Sequence, residues 1–270
     1  MIDFIAEILG ALIRFIYFLV GENYGLSIIL FTILTKLLMF PVTYKQEKSM
    51  HEMSKVAPLE KDIREKYKGD KDKMAEELTK MYSEHKINPA GGCLSLLIQL
   101  PLIFAIFAIV KQPLTYIMQV PTEQLQQYTQ EYLKKDTVTD KEIKAYEIEI
   151  ANEKDLINMD FIGLDFGLKP SDVFVKEKKA NPLILIVPLM SLLLALAQNK
   201  LNQKNSNMTE EQKEQQKGMM TMMPFLSGYI SYIMPLALGV YWLIGSVLQI
   251  LTHWIIKQML KKDTIMIGGK

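Results

Sequence analysis

Apolar residues in this 270-residue chain are gathered into a few long runs, and most charged residues lie in the stretches between them. A helix needs about 20 consecutive apolar residues to cross the hydrocarbon core of a bilayer. The runs that approach this length cover residues 25–43, 93–110, 182–197 and 219–256. The last run is too long for one span, and Pro235 within it predicts a break into two helices. The pattern therefore predicts an all-α polytopic membrane protein with five transmembrane helices.

The first 22 residues form an apolar segment of a different kind. Asp3, Glu7, Gly10 and Arg14 recur at helical spacing and place one polar stripe on an otherwise apolar helix. A helix of this type lies in the membrane interface. Acidic residues near the start disfavour a signal peptide, which begins with basic residues. We expect an interfacial amphipathic helix, with a sixth span as the alternative.

Positive charges near the span ends indicate the orientation, because Lys and Arg in short loops favour the cytoplasmic side. Lys45 and Lys48 follow the first predicted span, and further lysines follow the third and fifth spans. The turn at Pro235 carries no charged residue. We therefore expect a multi-pass protein with its N-terminus outside and its C-terminus in the cytoplasm.

Two long polar segments separate the predicted spans. The first contains "EKDIREKYKGDKDKMAEELTKMYSEHK", in which Gly69 and Asp70 predict a turn between two antiparallel helices. This hairpin either packs only on itself or docks a cytosolic partner, and the sequence leaves both interpretations open. Residues that could bind such a partner lie around the turn: Arg64, Lys66, Tyr67, Lys68, Lys71 and Lys73. The second polar segment, 122–158, predicts one or two polar helices and contains no recognisable chemistry.

These patterns divide the chain into an interfacial helix (1–22), a first span (25–43), a cytoplasmic helical hairpin (44–90), a second span (92–118), an extracellular loop (119–181), a third span (182–200), a cytoplasmic loop (201–217), a fourth span (218–234), a fifth span (235–257) and a cytoplasmic tail (258–270).

A lysine in the middle of the first predicted span is the most informative residue of the chain. A charge at the centre of a bilayer costs roughly 2.5–3.5 kcal/mol on insertion scales. Lys36 is such a charge, and no Asp or Glu lies inside a predicted span to pair with it. Snorkelling toward the cytoplasmic end would relieve part of this cost. A water-filled cavity open to the cytoplasm would relieve more of it and would keep the amine charged.

Other polar residues also follow helical spacing within the spans. Each could serve only to bind a neighbouring helix, at about 0.6–2 kcal/mol per hydrogen bond. Taken together with the lysine, they predict one polar groove. The predicted groove residues are Lys36, Thr32, Thr35, Gln99, Gln198, Trp242, Ser246 and Gln249.

Several functions are disfavoured by what the chain lacks. Cys93 is the only cysteine, so no intrachain disulfide can form. No glycine-rich phosphate loop is present, and we expect no cofactor, no metal site and no enzymatic activity. A hydrolase that uses Ser246 and His253 is disfavoured, because about 10 Å of helical rise separates the two residues. A small anion transporter or channel with Lys36 in its path remains the alternative to a role with polypeptides.

Several segments together resemble the YidC/Oxa/Albino family of membrane protein insertases. They are "GLSIILFTILTKLLMFPVTYKQ", "EKYKGDKDKMAEELTKMYSEHKINP", "NPAGGCLSLLIQLPLIFAIF" and "MMTMMPFLSGYISYIMPLALGVYW". The resemblance implies a five-helix core around a hydrophilic groove that is closed to the outside and open to the cytoplasm and to lipid. Lys36 stands where the family has a basic residue that attracts acidic residues of the incoming chain, and Gln198 and Trp242 match other groove positions.

The resemblance also implies a cellular setting. The protein is expected in the bacterial plasma membrane, where it inserts and chaperones nascent membrane proteins, alone or with the Sec translocon. The ribosome, the targeting particle or its receptor are the expected cytosolic partners of the hairpin, with no nucleic-acid role beyond ribosome contact. The size resembles the compact, Gram-positive-like type, although that type often carries a lipoprotein signal, which is not seen here. Two further departures are a lysine in place of the usual arginine at Lys36, and the long 122–158 insertion.

Overall fold

Helices account for most of the computed structural model, which describes residues 2–87, 94–175, 180–205 and 210–267. The α-helices are α1 (Ile2–Leu19), α2 (Tyr24–Lys66), α3 (Lys71–Glu84), α4 (Leu94–Lys111), α5 (Thr122–Leu133), α6 (Asp140–Ala145), α7 (Glu147–Glu153), α8 (Ile186–Asn205), α9 (Glu210–Ile233) and α10 (Leu236–Ile267). Shorter helical turns are a π-helix at Leu114–Met118 and 3-10 helices at Pro170–Phe174 and Pro182–Leu185. The mostly helical structure agrees with the expected all-α class.

A small antiparallel β-hairpin is an addition that the sequence analysis did not predict. Strand β1 (Asp160–Phe161) pairs with β2 (Leu164–Asp165) within the predicted extracellular loop. Ile162 and Gly163 form its turn with φ values of 57° and 72°. A β-branched residue seldom adopts a positive φ, so the surrounding segment must hold Ile162 in this conformation.

Three helical segments within the described residues are long and apolar enough to cross a membrane. They are Tyr24–Lys66, Pro182–Leu201 and Leu236–Leu260, with a shorter apolar segment at Gln99–Lys111. The predicted fourth span falls within α9, which is not among these three. The structure therefore supports a polytopic helical membrane protein, and the count of five spans stays a prediction.

Helix α2 continues without a break from the first predicted span into the predicted hairpin. It begins at the Asn23 cap, whose side-chain oxygen accepts from the Leu26 N–H at 2.8 Å. It contains Pro41 and Pro58, and it ends at Lys66, just before the turn at Gly69 and Asp70. The boundary drawn between segments 25–43 and 44–90 is thus a change of composition along one helix of 43 residues.

The second half of α2 and α3 form the antiparallel hairpin. The Asp70 side chain caps α3 by accepting from the Lys73 N–H at 3.1 Å. Val56, Glu60 and Met81 are the buried residues between the two arms. Leu59 is 45% exposed, so the contact between the arms follows Val56 and Glu60 rather than this apolar residue.

Helix α10 lies at the centre of the bundle and packs against α2 and α8, while α9 packs against α8. The break between α9 and α10 falls at Met234 and Pro235, where the sequence predicts it. Large apolar side chains stay exposed along the predicted spans, including Leu37, Leu193 and Trp254. A surface of this kind is explained by contact with lipid tails rather than with water.

Helix α1 packs against α2 and α4 through one face. Ala6 and Ile13 are buried on that face, whereas Phe4 and Phe15 are exposed on another. Gly10 allows a close approach, because a Cβ there would lie 2.7 Å from the Tyr116 carbonyl oxygen. Asp3 and Arg14 of the polar stripe bind the far end of the second span, Asp3 through Tyr116 and Arg14 through Gln119. Whether α1 is interfacial stays a prediction.

Some sequence predictions fall on residues 88–93, 176–179, 206–209 and 268–270. Cys93, the start of the "NPAGGC" motif and parts of the predicted cytoplasmic loop and tail therefore lie outside the described residues.

Candidate groove around Lys36

Lys36 lies between α2 and α10, in the middle of the predicted first span. Its Nζ donates a hydrogen bond to Gln249 Oε1 at 3.3 Å. Its aliphatic stem passes Gly245, where a Cβ would sit 3.5 Å from Lys36 Cε. The side chain is partly buried. The structure therefore brings together two residues of the predicted groove that are 213 positions apart in sequence.

Gln198 joins the third predicted span to the fifth. Its Nε2 donates to the Ser246 carbonyl oxygen at 3.0 Å. The contact to α10 thus uses the Ser246 backbone rather than the Ser246 hydroxyl. Trp242, one helical turn before Ser246, is partly buried on α10. These positions line α10 along the stretch that also carries Gln249.

Thr32 and Thr35 lie on the packed side of α2, Thr32 one turn before Lys36 and Thr35 directly before it. Both residues are buried. The Thr32 hydroxyl donates to the Ile28 carbonyl at 2.6 Å, and the Thr35 hydroxyl contacts the Phe31 and Thr32 carbonyls at 2.9 and 3.0 Å. Both hydroxyls are satisfied by their own helix. Gln99, the remaining predicted groove residue, is partly buried on α4.

Buried apolar residues pack on the side of Lys36 that faces the starts of α2 and α10. Tyr24, Ile28 and Phe31 are buried on α2, and Leu236 and Leu238 are buried at the start of α10. All five belong to one hydrophobic core cluster. This packed apolar region lies between α2 and α10 on one side of Lys36, and the pair of Glu47 and His253 lies on the opposite side.

A polar contact that the sequence analysis did not predict lies on that opposite side. His253 Nδ1 is 3.0 Å from Glu47 Oε1, so the two residues join α10 to α2. His253 lies one helical turn after Gln249, and Glu47 lies three turns after Lys36. Both spacings keep the residues on the helix faces that carry the groove, and this periodicity could have identified the pair.

The predicted partner-binding residues of the hairpin do not share one environment. Arg64 turns inward and pairs with the buried Glu60, with Nη2 2.8 Å from Oε1. Lys66 lies over the Tyr67 ring at 5.1 Å. Lys68, Lys71 and Lys73 are exposed around the turn. Lys66 is exposed as well, and Lys73 lies 3.7 Å from Asp70.

Glu60 also shapes the hairpin through Tyr82 of α3. Burial raises the pKa of Tyr82 to about 12, and the charge and hydrogen bond of Glu60 add to this effect. Glu60, Arg64 and Tyr82 therefore form a polar cluster between the two arms. A cluster that joins two helices in this way gives the hairpin a defined geometry.

No group of three or more His, Cys, Asp or Glu side chains suited to a metal ion was found among residues that the structure describes. The described polar groups around Lys36 are amide, carbonyl, hydroxyl and indole groups, all of which are neutral and can form hydrogen bonds.

Comparison with known proteins gives consistent matches over most of the chain. The family model described as 60Kd inner membrane protein matches residues 15–263. A protein of Fusobacterium nucleatum named "Membrane protein insertase YidC" is 29% identical over 236 residues, which is 87% of this chain and 86% of that protein.

Two longer relatives carry the same name. The protein from Nitratidesulfovibrio vulgaris strain Miyazaki F is 28% identical over 250 residues, or 93% of this chain and 37% of its own length. The protein from Chlamydia trachomatis is 28% identical over 256 residues, or 94% of this chain and 28% of its own length. The chain thus spans most of the first relative and about a third of these two.

Proposed function

Since this chain belongs to the 60Kd inner membrane protein family, whose relatives are membrane protein insertases, we propose that it inserts polypeptides through a groove centred on Lys36. The groove lies between α2 and α10, with Gln198 of α8 bound to α10 at its side. Five spans, carried by α2, α4, α8, α9 and α10, surround it.

The observation that carries this proposal is the contact between Lys36 and Gln249. Lys36 lies 12 residues after the start of α2, which corresponds to about 18 Å of helical rise and so to the middle of a bilayer core of about 30 Å. Its hydrogen-bond partner is a neutral amide. The positive charge is therefore oriented but not compensated, and it can attract an acidic group of another chain.

The two ends of the groove differ in polarity. The outer end is closed by the buried apolar residues around Tyr24 and Leu236, whereas the other end carries Glu47 and His253. The lysines that follow the predicted spans place this second end in the cytoplasm. The groove therefore opens to the cytoplasm, with the N-terminus outside and the C-terminus inside a bacterial plasma membrane.

Insertion through this groove needs no nucleotide. An acidic N-terminal tail of a nascent membrane protein is drawn to Lys36, and its apolar span then moves into lipid. Each Å² of apolar surface removed from water contributes about 25 cal/mol. A membrane potential of about 100 mV contributes about 2.3 kcal/mol per acidic charge moved to the outside.

The hairpin is the proposed docking site for the machinery that delivers the substrate. Lys68, Lys71 and Lys73 are exposed at its turn, and they offer positive charge to acidic partners. The ribosome, the targeting particle or its receptor, and the Sec translocon are the candidate partners. The Glu60 cluster holds the two arms in a fixed relation behind this turn.

The proposal is tested by reversing the charge at position 36. We expect Lys36→Glu to abolish insertion of a single-span substrate with an acidic N-terminal tail, and Lys36→Arg to retain it. A substrate whose tail acids are replaced by lysines should regain insertion in Lys36→Glu. Lys48→Glu is the matched control, because Lys48 is exposed on the same helix. Normal insertion of the acidic-tail substrate by Lys36→Glu would contradict the proposal.

A further inference from the structure

Residues 122–168 of the outer segment bind the outer ends of three predicted spans, and we propose that they act as a clamp that keeps the groove closed to the outside. Glu147 is the positioning residue through which this outer clamp binds the second span. The inference rests on the proposed groove, and it assigns a role to the 122–158 insertion, for which the sequence indicated none.

The contact with the second span is made by the buried carboxyl group of Glu147. Glu147 is 0% exposed. Its Oε2 accepts from the Thr115 N–H at 2.9 Å, and its Oε1 accepts from the Thr115 hydroxyl at 2.6 Å. Thr115 belongs to the π-helix that follows Pro113, where regular helical hydrogen bonding from α4 has ended. Glu147 thus satisfies backbone and side-chain donors that the second span itself leaves without an acceptor.

The contacts with the first and fifth spans are hydrogen bonds to backbone carbonyls of the outer clamp. The Asn158 carbonyl accepts from the Tyr24 N–H at 3.1 Å, at the start of α2. The Leu168 and Phe166 carbonyls accept from the Leu236 and Ala237 N–H groups at 2.8 and 3.0 Å, at the start of α10. Free N–H groups at helix starts need acceptors, and here the outer clamp supplies them. The two helices that it caps are those that carry Lys36 and Gln249.

Close packing joins the residues that make these three contacts into one unit. Ile148, next to Glu147, touches Gly167, where a Cβ would lie 3.0 Å from Ile148 Cγ2 and 2.6 Å from Met159 Sδ. Gly167 lies between the two residues whose carbonyls cap α10. Asp165 adds a polar link, because its Oδ2 accepts from Asn152 Nδ2 at 2.7 Å and its Oδ1 accepts from the Gly167 N–H at 2.8 Å. A continuous series of contacts therefore connects Thr115 to the start of α10.

The clamp shares its apolar core with the outer ends of the spans. Ile150, Ile157 and Phe166 are buried in the same cluster as Tyr24 and Leu236. This cluster separates the outside from Lys36. A hydrated groove at mid-membrane would conduct ions if its outer end opened. The outer end must therefore stay closed for the membrane to hold a potential.

The test compares Glu147→Ala with wild-type full-length protein in liposomes. We expect amide hydrogen exchange at Leu236 and Ala237 to accelerate by about tenfold, since local opening controls exchange. We also expect an increased leak of small ions from the loaded vesicles. Thr115→Val, which removes only the hydroxyl donor, should show the same two effects in weaker form and serves if Glu147→Ala does not fold.

Glu131→Ala is the matched control. Glu131 lies on the same segment, 70% exposed, and pairs with Lys154 at the surface. This control should leave exchange and leak unchanged, and a leak as large as that of Glu147→Ala would overturn the inference. Folded Glu147→Ala or Thr115→Val with wild-type exchange at Leu236 and Ala237 would also overturn it. The exchange measurement involves no substrate, so it decides the clamp separately from the insertion assay of Lys36→Glu.

Discussion

Glu47 and His253 lie 3.0 Å apart and connect helix α2, beyond Lys36, to helix α10, beyond Gln249. Their side chains are 24% and 19% exposed, so water screens the pair only in part. In the proposed function, a chain that reaches Lys36 from the cytoplasm passes this contact. The pair therefore joins the two helices and also lines the proposed entrance of the groove.

Removal of the contact between Glu47 and His253 should destabilise the folded protein. We expect Glu47→Ala to lower the free energy of unfolding by about 1–3 kcal/mol, because it leaves a partly buried His253 nitrogen without this acceptor. Thermal unfolding in detergent measures the effect, and a double-mutant cycle with His253→Gln isolates the pair. Glu65→Ala is the control, because Glu65 and Lys61 form an exposed pair at 3.8 Å. Additive effects of Glu47→Ala and His253→Gln would show that the pair contributes nothing.

A carboxylate placed beside Lys36 should reduce the insertion of substrates with acidic tails. In Gln249→Glu the new carboxylate takes the place of an amide whose oxygen lies 3.3 Å from Lys36 Nζ, so it neutralises the lysine charge. We expect insertion of an acidic-tail substrate to fall by about tenfold, which corresponds to about 1.4 kcal/mol. Gln258→Glu on the exposed face of α10 is the control. Equal insertion by both variants would argue against a role for the Lys36 charge.

The stability of the outer clamp should depend on pH through Glu147. Burial raises the pKa of Glu147 to about 7, while the hydrogen bonds from Thr115 and Leu114 and the charge of Lys144 act in the opposite direction. The neighbouring Tyr116 faces the carboxylates of Asp3 and Glu7 as well as that of Glu147. The folded state therefore holds a proton more tightly than the unfolded state, in which the pKa is near 4.5.

The sign of the pH effect follows from linkage. The contribution of Glu147 is fully present below about pH 4.5, and it is lost as the pH rises through about 7. We expect unfolding temperatures of wild-type protein to fall across this range relative to Glu147→Gln, which cannot titrate. The difference between the two proteins should level off above neutral pH. A constant difference from pH 4.5 to 7.5 would refute the assignment.

Added volume at Gly25 should disturb the contact between α2 and the outer clamp. A Cβ at Gly25 would lie 2.6 Å from Phe161 Cβ and 3.1 Å from Phe166 Cζ. We expect Gly25→Ala to destabilise the protein by about 1–3 kcal/mol, as overpacked sites do. Gly69→Ala is a matched control, because no atom lies within 4 Å of the Cβ position there. Unfolding temperatures measure both, and an equal response would contradict the packing argument.

The sequence was sufficient for features that depend on local pattern. The apolar runs, the break at Pro235 and the turn at Gly69 each follow from spacing or from a residue with a restricted backbone. Lys36 could be selected because a charge in an apolar run is costly wherever it lies. Its contact with Gln249 was consistent with the polar stripe on α10, although periodicity alone does not determine which helices meet.

Features that depend on distant residues could not be predicted in this way. Glu147 binds Thr115 from 32 positions away, and nothing in the sequence around Glu147 distinguishes it from the other acidic residues of this segment. The turn of the β-hairpin has Ile162 at a φ of 57°, where the usual signal is Gly or Asn. The continuity of α2 was missed because the composition changes sharply near Tyr44, whereas the backbone hydrogen bonding does not.

The unbroken α2 connects the arm of the hairpin directly to the stretch that carries Lys36. About 25 residues separate Pro41 from the end of the helix, a rod of about 38 Å. A proline removes one backbone hydrogen bond and makes a natural pivot. Rotation by about 10° there would move the far tip by about 7 Å. In the proposed function, a partner that pulls on the tip therefore bends α2 close to Lys36, with no loop between the tip and the bend.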